Sequence, residues 1–94
     1  MFMIDPIEFK SEVWNLAKDI RVQPKEIHIR EMSKKWGSCS SRGRLTFNKK
    51  LLNEPKSFRF EVIIHELLHL RYPKHGKMFD ALVQEYLNRN IEKN

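Results

Sequence analysis

Three residues spell H-E-x-x-H in this chain: His65, Glu66 and His69. On a helix, residues four apart share a face, so both imidazoles can reach one metal ion. Glu66 then lies about 100° round the helix from His65. It can face a metal-bound water without being a ligand itself. Two imidazoles and a general base are the working parts of a metal-assisted peptide hydrolase. Three of the four histidines fall between residues 65 and 75, beside an apolar stretch in which an unpartnered polar group is costly. Coordination supplies the missing partner.

A catalytic zinc normally keeps three protein ligands and one open position. His75 is the expected third ligand. Six residues after His69, past a helix end at Tyr72-Pro73, the chain can turn back towards the metal. Asp80 and Glu85 on the following helix are the acidic alternatives, and Glu85 suits a site that takes a glutamate from that helix. Three imidazoles favour Zn²⁺, one per chain, over a hard oxygen-seeking cation such as Mg²⁺. Zn²⁺ would lower the pKa of its water towards about 7. Glu66 would take the proton as that water attacks a peptide carbonyl, then pass it to the leaving amine. The expected donor to the oxyanion is Tyr72, followed by Arg71 and Tyr86.

Elements must hold these groups in place. Asp5 can cap a first helix, with Pro6 at its first position and Glu8 in capping-box register. Phe9, Val13, Leu16, Ala17 and Ile20 recur at helical spacing, and Pro24 closes the segment. Ile27 and Ile29 alternate with polar residues as a short strand. A second strand is expected around Lys35 to Cys39, and a third around Leu45 and Phe47. Ser40, Ser41 and Gly43 supply the turn between them. The reading is a small three-stranded antiparallel sheet. From Pro55 to Pro73 the chain is apolar on nearly every side, as a buried helix is. After Gly76, a last helix carries a stripe of Met78, Phe79, Leu82, Val83, Tyr86 and Leu87. The fold class is α+β, one domain over residues 1–94. A segment ending in glycine lets another backbone approach closely, so Lys35, Trp36, Gly37 and Ser38 are expected near a substrate-binding edge. Cys39 is expected to be a buried, inert thiol.

Composition excludes several classes. At 40% apolar and 32% charged residues, the chain is globular rather than disordered. One cysteine cannot form an internal disulfide. Asp5 and Pro6 interrupt the apolar start, so no signal peptide is read, and no apolar run approaches a membrane span. The expectation is a soluble cytoplasmic protein, monomeric or weakly dimeric. Eighteen basic against twelve acidic residues give +6. Lys34, Lys35, Arg42, Arg44, Lys49 and Lys50 cluster around Trp36 and Phe47, which leaves nucleic acid as a possible partner beside a peptide or protein substrate.

Longer stretches carry a resemblance. Residues 30–41 read REMSKKWGSCSS, residues 44–52 RLTFNKKLL, and residues 62–79 VIIHELLHLRYPKHGKMF. W-G-S-C-S followed by a strand, H-E-L-x-H-L and a third His before Gly and an aromatic resembles the YgjP-like and SprT-like metallopeptidases. The matches run over about residues 27 to 87. The short chain also resembles the archaeal minigluzincins of the proabylysin and projannalysin type, minimal zincins described as latent zymogens. The His65-to-His75 spacing equals that of the metzincins, but Tyr72 stands where their turn glycine belongs, which argues against that family. The resemblance implies zinc at His65, His69 and His75, with Glu66 as base. Through the minigluzincins it also implies latency, with the polar tail after Tyr86 as a candidate cover. YgjP-like relatives have been linked to nucleoside triphosphate hydrolysis, and SprT-like relatives act on DNA-bound proteins. A metal-dependent pyrophosphatase and a basic nucleic-acid-binding module are therefore the alternative readings.

Overall fold

The computed structural model describes residues 3–91. Met1, Phe2 and the last three residues of the expected tail, 92–94, lie outside the described residues. The elements are helix α1 (Pro6–Ile20), strands β1 (Glu26–Arg30), β2 (Gly37–Cys39) and β3 (Arg44–Asn48), a 3-10 turn at Lys49–Asn53, and helices α2 (Lys56–His69) and α3 (Lys77–Ile91).

α1 starts as its sequence dictates. Asp5 Oδ1 accepts the backbone N–H groups of Ile7 at 2.7 Å and Glu8 at 3.1 Å, and Pro6 needs no partner there. The helix stops before Pro24, at Arg21, whose φ of 67° is left-handed. That conformation costs a non-glycine residue about 1–2 kcal/mol. It satisfies the helix end, because the Arg21 N–H returns to the carbonyls of Ala17 and Lys18. Phe9, Val13, Leu16, Ala17 and Ile20 are all buried, as the spacing required.

The sheet order is β1-β3-β2. β2 and β3 form the expected antiparallel hairpin, with Gly37 opposite Phe47 and Cys39 opposite Leu45. β1 pairs with β3 in parallel, with Ile27 opposite Leu45 and Ile29 opposite Phe47. The sheet is therefore mixed, which corrects the expectation of a purely antiparallel one. Alternation reports which residues face the core, not which strand sits in the middle. Here β3 takes the centre because its Leu45 and Phe47 are the fully buried pair. The loop after β1 carries the chain past that slot to the far edge. Asn48, 6% exposed, holds this loop: its Nδ2 donates to the carbonyls of Met32 at 2.9 Å and Lys35 at 2.8 Å, and its N–H donates to the Trp36 carbonyl. Its Oδ1 accepts from Lys50 N–H and caps the 3-10 turn, an element the sequence reading did not anticipate.

α2 lies in the core between α1, β2 and α3. Phe60, Ile63, Ile64, Leu67 and Leu68 are buried, each contributing about 1.5–3 kcal/mol. Arg59 is buried too, with its fork on the Glu12 carboxylate at 3.0 and 2.7 Å and a third bond to the Glu54 carbonyl. α3 buries Phe79 and Val83, but Met78, placed in the core stripe by spacing, is 65% exposed. Near its C-terminus, Arg89 and Asn90 donate to the two oxygens of Asp19 on α1. Among the described residues no helix is long and apolar enough to cross a membrane.

Candidate active site

His65 and His69 project from one face of the last turns of α2, and His75 comes from the seven-residue connection to α3. The structure brings the three together. One ring nitrogen from each can be chosen so that all lie within 4.8 Å of one another, and Nε2 of His65 and His75 are 3.1 Å apart. Around a tetrahedral ion with bonds of about 2.0–2.1 Å, ligand nitrogens stand about 3.3–3.4 Å apart. Asp80 and Glu85 are not part of this group among the described residues. Asp80 reaches His65 only through its charge.

The surroundings suit metal ligation. His69 Nδ1 lies 3.2 Å from the Tyr72 carbonyl, which can only accept, so Nδ1 carries the proton and Nε2 keeps its lone pair. Burial, helped by the charges of His69 and His75, holds the His65 pKa below its ordinary value. Phe79, 3% exposed, packs against all three rings, at centroid distances of 5.1, 4.6 and 4.4 Å from His65, His69 and His75. Spacing marked Phe79 as core. Its position four residues after His75 was the only sign that it is also the floor of the cluster. Three half-buried or exposed imidazoles, one held in a fixed tautomer, form a donor set that fits a borderline cation such as Zn²⁺.

Glu66 points to the other side, under β2. It is 8% exposed, and burial pushes its pKa up to about 7 despite the lowering influence of Lys35. Gly37 makes this approach possible. A Cβ on Gly37 would sit 3.0 Å from Glu66 Cγ, 3.3 Å from the Phe47 ring and 3.4 Å from Glu66 Oε2. β2 is an edge strand, since among the described residues its only neighbour in the sheet is β3. Below it runs a groove of about 600 Å³ lined by Lys35, Gly37 to Ser41, Glu66, His69, Leu70 and Pro73. A hollow of about 320 Å³ continues it past Trp36, Phe58, Val62 and His65. Lys35, Trp36, Gly37 and Ser38 thus all line the groove or its continuation. Trp36 is 38% exposed and edge-on to Phe58 at 5.0 Å, so it forms a wall rather than core. Cys39 is half-buried in the same groove, and burial followed by the Glu66 charge pushes its thiol up. A larger hollow of about 710 Å³ lies between Met3, the 31–33 loop and the 3-10 turn, and none of the histidines borders it.

The expected oxyanion donors stand differently. Tyr72 brings its carbonyl to His69. Arg71 donates to the Arg21 carbonyl, and Tyr86 lies under the Arg89 guanidinium at 4.8 Å. The cation that borders both hollows beside Glu66 is Lys35.

A helix bearing two histidines and a glutamate, an edge strand above it and a third histidine beyond a turn define a minimal zincin-type metallopeptidase scaffold. The family description "YgjP-like, metallopeptidase domain" matches residues 6–93, and the chain belongs to that family. Among solved structures it is similar to the metallopeptidase zymogen of Pyrococcus abyssi abylysin, with a TM-score of 0.69 and 20% identity over 85% of this chain and 76% of that one. That likeness is one of fold. Comparison with curated proteins finds no match.

Proposed function

We propose that this chain is a zinc-dependent endopeptidase that hydrolyses an extended peptide bound along β2. The observation that carries the reading is the pairing of Glu66 with Gly37: the buried carboxylate packs under the edge strand and lines the same groove as His65 and His69. His65, His69 and His75 would hold the ion, which when bound supplies an acidified water and polarises the carbonyl.

The other parts are the chain's own. The free edge of β2 offers backbone N–H and C=O groups to an extended substrate. Gly37 keeps that strand low enough for the substrate backbone to pass over Glu66. Glu66, a buried carboxylate bordering the groove, is placed both to accept a proton from the attacking water and to return it to the leaving nitrogen. Lys35 borders the same space and is favoured over Tyr72 as the group facing developing negative charge. Trp36, Phe58 and Val62 form an apolar seat for one substrate side chain. The single free cysteine supports a reducing, cytoplasmic setting.

The neighbour's zymogen state raises latency for this chain as well. Arg89 and Asn90 are engaged with Asp19 on α1, which weighs against the tail as a cover for the groove.

The test is zinc content and casein cleavage on the same preparations of wild type, His75→Ala and Glu66→Gln. Wild type should hold about one zinc per chain and cleave casein. His75→Ala should lose zinc on dialysis. Glu66→Gln should keep zinc and lose at least about 100-fold in cleavage. Full cleavage by Glu66→Gln would remove the role given to that residue. Pyrophosphate release from nucleoside triphosphates without any peptide cleavage would replace the peptidase reading.

A further inference from the structure

The groove does not end with β2. Beyond the strand it opens into a hollow of about 400 Å³, and Ser41 and Leu70 line both spaces. Three cations converge on this hollow from three places in the fold: Lys25 after α1, Arg42 in the β2–β3 turn and Arg71 after α2.

Each is set by backbone structure. Lys25 N–H donates to the Gly43 carbonyl at 2.8 Å. Gly43 has a φ of 90°, and a side chain there would meet Lys25 Cγ at 3.2 Å, so glycine permits the close approach. Arg42 N–H donates to Ser40 Oγ within the turn. Arg71 is anchored by a bond of 2.5 Å from its Nη2 to the Arg21 carbonyl, a neutral acceptor that leaves the positive charge uncompensated. The nearest acid on the sheet, Glu26, is held by His28 at 2.8 Å and Arg44 at 3.5 Å. Among the described residues none of the three cations forms an ion pair.

The opposite end of the groove is different. It is walled by Trp36, Phe58 and Val62 and carries the acid Glu61. The groove therefore has an apolar end, where the charge of Glu61 is offset by Lys35, and a basic end, with Glu66 between them. A substrate lying in it is read for charge on one flank only.

We propose that Lys25, Arg42 and Arg71 form a subsite for an acidic substrate side chain three or four residues on the N-terminal side of the scissile bond. This rests on the peptidase reading above. The spacing follows from strand geometry. Gly37 lies over Glu66, and the strand carries the chain three residues on to Ser40, about 10 Å, before it turns at Ser41 and Arg42 into the hollow. A peptide pairing antiparallel with β2, as β3 does on its other side, runs from the basic end towards the apolar end. Its residue in the hollow then precedes the scissile bond.

The experiment uses three internally quenched peptides, identical except for Glu, Gln or Lys at that position. They are given to the zinc-loaded wild type and to the double variant Lys25→Glu/Arg42→Glu. Wild type should favour Glu over Lys by about tenfold in kcat/KM, and 0.5 M NaCl should erase most of the preference. The double variant should reverse the order of the Glu and Lys peptides. If the double variant does not fold, Arg42→Gln alone, at an exposed turn position, should still lower the preference by about threefold. Binding of the same peptides to Glu66→Gln, read by fluorescence anisotropy, separates this idea from the activity on which it rests. Preferential binding of the Glu peptide without cleavage by wild type would uphold the subsite and remove the peptidase. Equal binding and equal cleavage of all three would overturn the subsite. So would a single-stranded oligonucleotide that binds wild type more tightly than the Glu peptide and is released by the double variant, since the cluster would then serve phosphates.

Discussion

Glu66 is placed under a tension that the fold creates. A carboxylate prefers water, yet Gly37, Phe47 and the helix around it leave Glu66 8% exposed. Its pKa in the folded chain is raised to about 7 from 4.5. Between those values the folded state holds a proton that the unfolded state has released, so stability falls as pH rises through this window. The metal-free Glu66→Gln variant should therefore have a higher Tm than metal-free wild type at pH 8 and about the same Tm at pH 4, read by circular dichroism. A bound cation favours the carboxylate, so the acid limb of kcat/KM for the zinc form should lie below pH 7. An acid limb that stays in place when Glu66 is replaced would assign that proton to another group. His65, Glu66 and His69, the proposed metal-binding pair and base, were legible as H-E-x-x-H. Lys35 was legible as an edge residue but not as the neighbour of Glu66, and Phe79 as a core residue rather than the floor of the histidines, because each reaches its partner through packing.

At the scale of elements, the hairpin decides how the site is covered. Its strands and turn were readable from alternation at Leu45 and Phe47 and from Ser40, Ser41 and Gly43. Its place in the sheet was not. The parallel pairing of β1 with β3 depends on the loop of residues 31–36 passing to the far edge, and Asn48 pins that loop with two side-chain bonds. Nothing in the local pattern distinguishes Asn48 from any other strand-ending asparagine. Asn48→Ala would orphan the carbonyls of Met32 and Lys35 and lose the cap on Lys50, at a cost of about 2–4 kcal/mol. Because the same loop presents Lys35 and Trp36, KM for an extended peptide should rise while zinc content stays that of wild type. Denaturant unfolding, atomic absorption and peptide kinetics on one preparation would check all three. An unaltered KM would separate the loop from substrate binding.

At the scale of the whole chain, a small core carries the three-histidine cluster. One core, from Phe9 on α1 to Val83 on α3, supports everything, and the third histidine sits in an exposed connection. A bound metal would tie that connection to α2 and act as a staple for a chain of 94 residues. An ion present at about 1,000 times its Kd stabilises by about 4 kcal/mol. For a domain of this size, removal with a chelator should lower Tm by more than about 10 °C. His75→Ala should show a much smaller difference between its metal-loaded and chelated forms. Equal melting of wild type with and without zinc would detach the metal from the fold.

The amino-acid sequence by itself determined the grouping of His65, Glu66 and His69 and the elements that bear it. His65, Glu66 and His69 are close in the chain, so helical periodicity alone sets them around one helix. The Asp5 cap of α1 and the apolar spacing of α1, α2 and α3 are local in the same way. Tertiary structure decided everything that joins distant residues: which strand lies at the centre, the 3-10 turn under Asn48, and the exposure of Met78. It also decided the contact of Gly37 with Glu66, 29 positions apart in sequence, and the meeting of Lys25, Arg42 and Arg71. Short-range periodicity carries no information about such contacts, because they depend on which buried surfaces the completed core leaves opposite one another.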